Sequence, residues 1–311
     1  GSTAAVPRTS KVFPAGAGPA ELIPAALGKD VGVEIDIGDT PWLALVDPSR
    51  FEDWPRDLHQ DYTSTDSYRA LCQAGLSVVG RERIDCLVTG LPVNQYFANG
   101  YREALKQRLS GDIVVRRGES VRVDEVLVIP QPLGAYLTFA NDFEDFEALE
   151  HSQVLVIDPG FFSFDWVIID RGDLRRSASG TSTHAASFLL EETAKLIAAE
   201  CGGKVSRERL EDALRAGRTE VFLFGERLEI QPFLSQAAET VASAALKKLV
   251  TGVRRDVQES DFDIVVLAGG GASLYESAAR RHFGRARVES ASKNPVTANA
   301  EGFWSWGKAR G

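Results

Sequence analysis

Methionine is absent from the 311 residues, and cysteine and histidine are scarce, at three and four. Each shortage excludes something. Without methionine, Gly1 is not a native start, and Gly1-Ser2 reads as a cloning scar or the edge of a missing upstream piece. Cys72, Cys86 and Cys201 are odd in number and widely spaced, so no disulfide framework and no zinc or redox pair can be drawn. Reduced core cysteines in a cytoplasmic protein are the expectation. His184 stands at a helix start with no second His or Cys at ligand spacing. Apolar runs long enough to span a bilayer are missing, as is a signal-peptide pattern. The formal net charge of −9 argues against broad contact with DNA or an anionic membrane, so neither direct nucleic-acid binding nor membrane attachment is expected.

What is present is the composition of a globular chain, 44% hydrophobic and 25% charged, over a length that can bury two cores. Residues 1–30, with VFPAGAGPAEL, read as loop. VGVEIDIGDTPWLALVD alternates on both sides of a Gly-Asp-Thr-Pro turn, which is a hairpin pattern. A capped helix with a Tyr68, Leu71, Cys72, Leu76 stripe follows, and the order to about residue 150 is β, α, β, α, β, α. Beyond it come a hairpin, a helix closed by a glycine pair, a long amphipathic helix, a strand–glycine turn–helix unit and a last strand. The final helix is expected to begin at Asn294-Pro295. The fold class is α/β in two halves, 1–150 and 151–293, with 294–311 as a C-terminal helix.

Three stretches can carry chemistry. In VVLAGGGASL a buried strand feeds Gly269, Gly270 and Gly271, then a helix starting near Ala272. Such a turn lets a ligand approach backbone, beside the oriented N–H groups of a helix start. A tight turn with no ligand is the plain alternative. A dinucleotide fingerprint is excluded, because Leu274 occupies the third glycine position and too few residues follow Glu289. In VLVIDPGFFSFDWVIID, Asp158 ends one apolar run and Asp165 opens the next. An Asp-x-Gly turn can aim backbone N–H groups at phosphate while the carboxylate orders a hydrated Mg²⁺, or the Asp merely caps the turn. In VLVIPQPLGAY, Gln131 lies between two prolines at a strand-to-helix junction. There it can orient an attacking water, or be an exposed turn residue. Basic clusters at Arg171–Arg176 and Arg280–Arg287 read as solvated faces.

Taken in order, CLVTGLPVNQY, VLVIPQPLGAY, VLVIDPGFFSFDWVI, VVLAGGGASL and VTANAEGFWSWG resemble the actin-like ATPases of plasmid segregation, the ParM/StbA group. The resemblance covers roughly residues 11–308. It implies two actin-like (ribonuclease-H-like) domains around a nucleotide cleft, ATP or ADP with Mg²⁺, and filaments that move DNA through a DNA-bound adaptor protein. On it, Asp158 holds hydrated Mg²⁺ and Gln131 orients water. The backbone of Gly160, Phe161, Phe162 and Ser163 faces phosphate, and Gly269–Ala272 borders adenosine. The C-terminal helix is expected to return to the first domain. Two departures stand out. Gly160-Phe161-Phe162-Ser163 replaces the Gly-Gly-Thr-Thr run of many relatives, and the first phosphate hairpin is not found, so it is expected upstream of Gly1. IDIGDT is a poor substitute, because Asp39 repels phosphate and Pro41 removes a donor. The alternatives are a small-molecule kinase of the same superfamily and a scaffold that no longer hydrolyses.

Overall fold

The computed structural model describes residues 9–23, 32–51, 61–160, 163–182, 186–215, 218–252 and 262–310. They form two compact units. The first holds residues up to 88 and 102–127, and the second holds 89–101 and 128–310. The division falls inside two strands.

The first unit opens with β1 (Gly16–Pro19), β2 (Val33–Ile37) and β3 (Thr40–Val46), an antiparallel sheet with β3 in the centre. The expected hairpin is β2–β3, turned by Gly38 at φ 63°. Thr65 caps α1 (Asp66–Val79), its hydroxyl accepting from the Tyr68 N–H, and Gly80 ends it in the left-handed conformation. The buried face of α1 only partly follows the expected stripe. Leu76 is buried, and Ala70 and Ala74 lie against Ile35, Trp42 and Ala44, with Leu71 packed at their edge, while Tyr68 and Cys72 are only half-buried. Next come β4 (Arg83–Leu91), α2 (Val93–Phe97), α3 (Tyr101–Leu109), β5 (Gly111–Arg116) and β6 (Glu119–Pro130). Their strand order is β4-β6-β5. At the Gln131 junction the helix starts at the residue directly after β6, with no turn between them.

The second unit continues with α4 (Gln131–Asp142), α5 (Phe146–His151), β7 (Gln153–Pro159), β8 (Phe164–Asp170), β9 (Asp173–Leu174) and β10 (Gly180–Ser182). Then follow α6 (Ala186–Cys201), α7 (Arg207–Arg215), β11 (Glu220–Leu223), β12 (Glu226–Glu229) and α8 (Gln231–Gly252). It closes with β13 (Ile264–Leu267), α9 (Ala272–His282), β14 (Arg287–Ser290) and α10 (Ala298–Lys308), the last starting three residues beyond the expected Pro295. The main sheet runs β10-β8-β7-β13-β14, with β13 parallel to both β7 and β14. Both of its faces are covered, which is why β7, β8 and β13 read as almost unbroken apolar runs. Leu155, Ile157, Trp166 and Ile168 meet α8 and α9 on one face. Val154, Val156, Val167 and Ile169 meet α4 and α10 on the other. Each such buried side chain contributes about 1.5–3 kcal/mol.

α10 packs on α4 inside this unit, through a seam of small residues. A Cβ on Gly302 would overlap the Gly134 carbonyl, and one on Gly134 would come within 2.5 Å of the Asn299 carbonyl. The Thr138 hydroxyl donates to the Ala298 carbonyl across the seam at 2.7 Å. A smaller core joins α6 and α7 to β11, β12 and the start of α8.

Candidate functional site

β7 and β13 run parallel, with Ile157 paired to Leu267, and both end there. The ladder continues for one bond, from the Ala268 N–H to the Ile157 carbonyl at 2.9 Å. The chain after β13 then turns at Gly269, φ 72°, and its Gly271 N–H donates to the Pro159 carbonyl at 3.0 Å. The glycine turn and the Asp158 turn are thus one structure, assembled from stretches far apart in the sequence. Glycine is required at 269 and 271 for packing. A Cβ at 269 would overlap Asp158 Oδ1, and one at 271 would stand 2.6 Å from the Pro159 carbonyl oxygen. Gly270 differs from both. It is exposed, with nothing within 4 Å of where a Cβ would be, so the turn opens outward there.

Asp158 projects on the α4/α10 face of the sheet and is 5% exposed. Its Oδ2 accepts from Asn299 Nδ2 at 2.6 Å, and Oδ1 lies against Gly269. Burial pushes the Asp158 carboxyl up to about 6. The Asn299 hydrogen bond works against that rise, and the neighbouring Asp165 adds to it. Asp165 is the direct cross-strand partner and is also buried. Both of its oxygens are committed. Oδ1 accepts from the Val93 N–H at 2.9 Å and the Thr181 hydroxyl at 2.5 Å, and Oδ2 accepts from the Ser163 hydroxyl. Burial raises the Asp165 carboxyl as well, against the pull of Ser163, Thr181 and Val93. Two carboxylates that look alike in sequence therefore differ. Asp165 is satisfied internally and pins the start of α2, while Oδ1 of Asp158 has no hydrogen-bond partner among the described residues.

Gln131 is the first residue of α4, half-buried. Its stem lies over Gly90, where a Cβ would come within 2.7 Å of Gln131 Cγ. It is linked to Asp158 indirectly. Ala135, one turn along α4, donates its N–H to Asn299 Oδ1 at 3.1 Å, and Asn299 in turn holds Asp158. The Gly160 N–H is turned inward, donating to the Ser163 carbonyl at 2.9 Å and the Asp158 carbonyl at 3.0 Å, so it closes the hairpin. Phe161, Phe162 and His184 lie outside the described residues. In the glycine turn, Gly269 N–H donates to the Pro295 carbonyl at 2.9 Å and Ala272 N–H to the Gly269 carbonyl at 3.3 Å. Asp36 is committed elsewhere, in the first unit. Its carboxylate accepts from the Arg117 N–H at 2.7 Å.

Among the described residues no group of three or more His, Cys, Asp or Glu could hold a metal directly. A cation at Asp158 would meet a single carboxylate oxygen and otherwise water, which is how Mg²⁺ is often held. No helix among the described residues is long and apolar enough to cross a membrane. The arginine clusters are exposed and locally paired, Arg175 with Asp170, Arg280 with Glu276 and Arg287 with Glu289. Asn299 is the residue that sequence reasoning missed. Its partner lies 141 positions away, and an asparagine in an amphipathic helix carries no local signal.

Residues 1–134 match the family model "Actin like proteins N terminal domain". Among solved structures the chain is similar to Ta0583, an archaeal actin homologue. The TM-score is 0.75 at 17% identity, covering 96% of this chain and 92% of that one. The complex of Ta0583 with ADP aligns with TM-score 0.69 at 16% identity, covering 88% and 87%. A subunit of a 15-stranded ParM filament from Clostridium botulinum aligns with TM-score 0.66 at 17% identity, covering 96% and 92%. No curated protein matches the chain.

Proposed function

The chain is actin-like, in its fold and in the match of its first 134 residues, and on that premise we propose that it is a nucleotide-dependent, filament-forming ATPase of the plasmid-segregation kind. The observation that carries the reading is the union of Asp158 with the glycine turn. A buried carboxylate has one oxygen with no hydrogen-bond partner among the described residues, beside backbone that opens outward at Gly270. ATP would lie along that turn, with Gly269–Ala272 bordering the adenosine and the hairpin turn after Asp158 facing phosphate. Asp158 Oδ1 would hold a water of hydrated Mg²⁺, and bound Mg²⁺ would neutralise charge on the phosphates during transfer. Gln131, at the head of α4, would orient the attacking water.

A kinase of the same superfamily needs a second carboxylate able to take a proton from a substrate hydroxyl. Asp165 does not fit that role, since both its oxygens are hydrogen-bonded. The proposed partners are further copies of the chain and a DNA-bound adaptor protein, in the cytoplasm. The net charge of −9 is consistent with an adaptor contacting the DNA in its place.

Sedimentation with and without ATP and Mg²⁺ tests assembly, and phosphate release tests hydrolysis. Wild type should pellet and release phosphate only with both ligands. Asp158→Ala should lose Mg²⁺-dependent turnover while remaining folded. Gln131→Ala should bind nucleotide normally and hydrolyse at least ~100-fold more slowly, giving longer-lived filaments. Pelleting without phosphate release would make the chain a scaffold, and neither would remove the reading.

A further inference from the structure

We infer that Asn299 is a positioning residue of the candidate site, fixing which oxygen of Asp158 is presented and tying it to the head of the Gln131 helix. The inference rests on the nucleotide-site reading above and goes beyond it in assigning α10 a part in that site. A side-chain amide can be turned either way, but here one contact decides. The Ala135 N–H can only donate, so the Asn299 atom facing it must be the carbonyl oxygen, at 3.1 Å. The amide nitrogen is then forced toward Asp158, where it donates to Oδ2 at 2.6 Å. Oδ2 is occupied, and Oδ1 lies against Gly269, where there is no side chain to cover it.

The same amide couples two functional groups that do not touch. Ala135 and Gln131 are four residues apart on α4 and share a face of that helix. Asn299 therefore holds the helix that carries Gln131 and the strand that carries Asp158 by one rigid group. The seam around it is built to prevent slippage. Gly134 and Gly302 bring the two helix backbones into contact, and Thr138 is bonded to the Ala298 carbonyl next to Asn299. A side chain that only filled space would need neither hydrogen bond.

The test compares ATP affinity in excess Mg²⁺ with ATP affinity in EDTA, by calorimetric titration of the full chain. Wild type should bind more tightly with Mg²⁺. Asn299→Ala should lose about tenfold of that Mg²⁺ enhancement while its affinity in EDTA stays within about twofold of wild type. Asn299→Ser, which keeps a polar group too short to bridge, is measured alongside and should behave the same way. It also guards against misfolding of the alanine variant. Without any nucleotide, the Ala135 amide should exchange hydrogen faster in both variants. An unchanged Mg²⁺ enhancement overturns the inference, and so does an equal loss with and without Mg²⁺, which would mark Asn299 as structural only. Wild type that binds no nucleotide, or binds it without regard to Mg²⁺, overturns the site reading itself and the inference with it.

Discussion

Replacing Asp158 by Asn keeps the side-chain shape and removes the buried charge. In the folded protein the carboxyl is pushed from 3.8 up to about 6 by burial, with Asn299 opposing and Asp165 assisting. The folded-state value thus lies above the unfolded one, so between about pH 4 and pH 6 the native state holds a proton that the unfolded state has released. Stability from this group is fully present below the unfolded value and is lost as pH rises through the folded one. The shift corresponds to roughly 3 kcal/mol, all of it lost by neutral pH. Asp158→Asn escapes that loss. Its new NH₂ takes the place of Oδ1 beside Gly269 and gives back about 1 kcal/mol for want of an acceptor. Nucleotide-free Asp158→Asn should therefore be more stable than wild type by about 2 kcal/mol at pH 7.5 and less stable by about 1 kcal/mol at pH 3. Urea titrations of both proteins across that range measure the difference. A difference that does not change with pH would refute the burial argument. A more stable variant that no longer supports Mg²⁺-dependent turnover would identify Asp158 as a residue kept for function at a cost in stability.

The three glycines of the turn should separate by their neighbours. Gly269→Ala meets Asp158 Oδ1 at a positive φ and should lose about 2 kcal/mol, whereas Gly270→Ala should stay within about 0.5 kcal/mol. Equal losses in urea melts would contradict the geometry. If Gly270→Ala folds normally yet binds ATP at least tenfold more weakly, ligand approach at that point is supported. Gly302→Ala pushes α10 away from the Gly134 carbonyl and should destabilise the second unit by about 3 kcal/mol, read by thermal unfolding; a melt like wild type would show that the seam is loose. Burial pushes the Cys72 thiol up to about 11, so at pH 8 on the order of one molecule in a thousand is thiolate there. A thiol reagent should label exposed Cys201 first and half-buried Cys72 far more slowly, and labelling of Cys72 at the rate of Cys201 in a mass spectrum would count against its raised thiol.

The element pattern was legible in the sequence where local chemistry dictates it. Gly38 turns the β2–β3 hairpin, Thr65 and Gly80 bound α1, and the two-sided apolar runs of β7 and β13 announce a sheet covered on both faces. Asp158, Gln131 and the Gly269–Gly271 turn were also visible, because acids at strand ends and glycine runs before helices are costly or unusual without a reason. What the tertiary structure alone decided is the meaning of those residues. It pairs Asp158 with Asp165 across one hairpin yet, among the described residues, gives partners to both oxygens of Asp165 and to only one of Asp158. It makes Gly269 and Gly271 packing residues and leaves Gly270 open. It also brings Asn299 from the last helix to the carboxylate of Asp158. The reason is physical. Secondary structure follows from contacts within a few residues of each other, whereas the charge state and orientation of a buried carboxylate depend on donors and acceptors that arrive from anywhere in the chain.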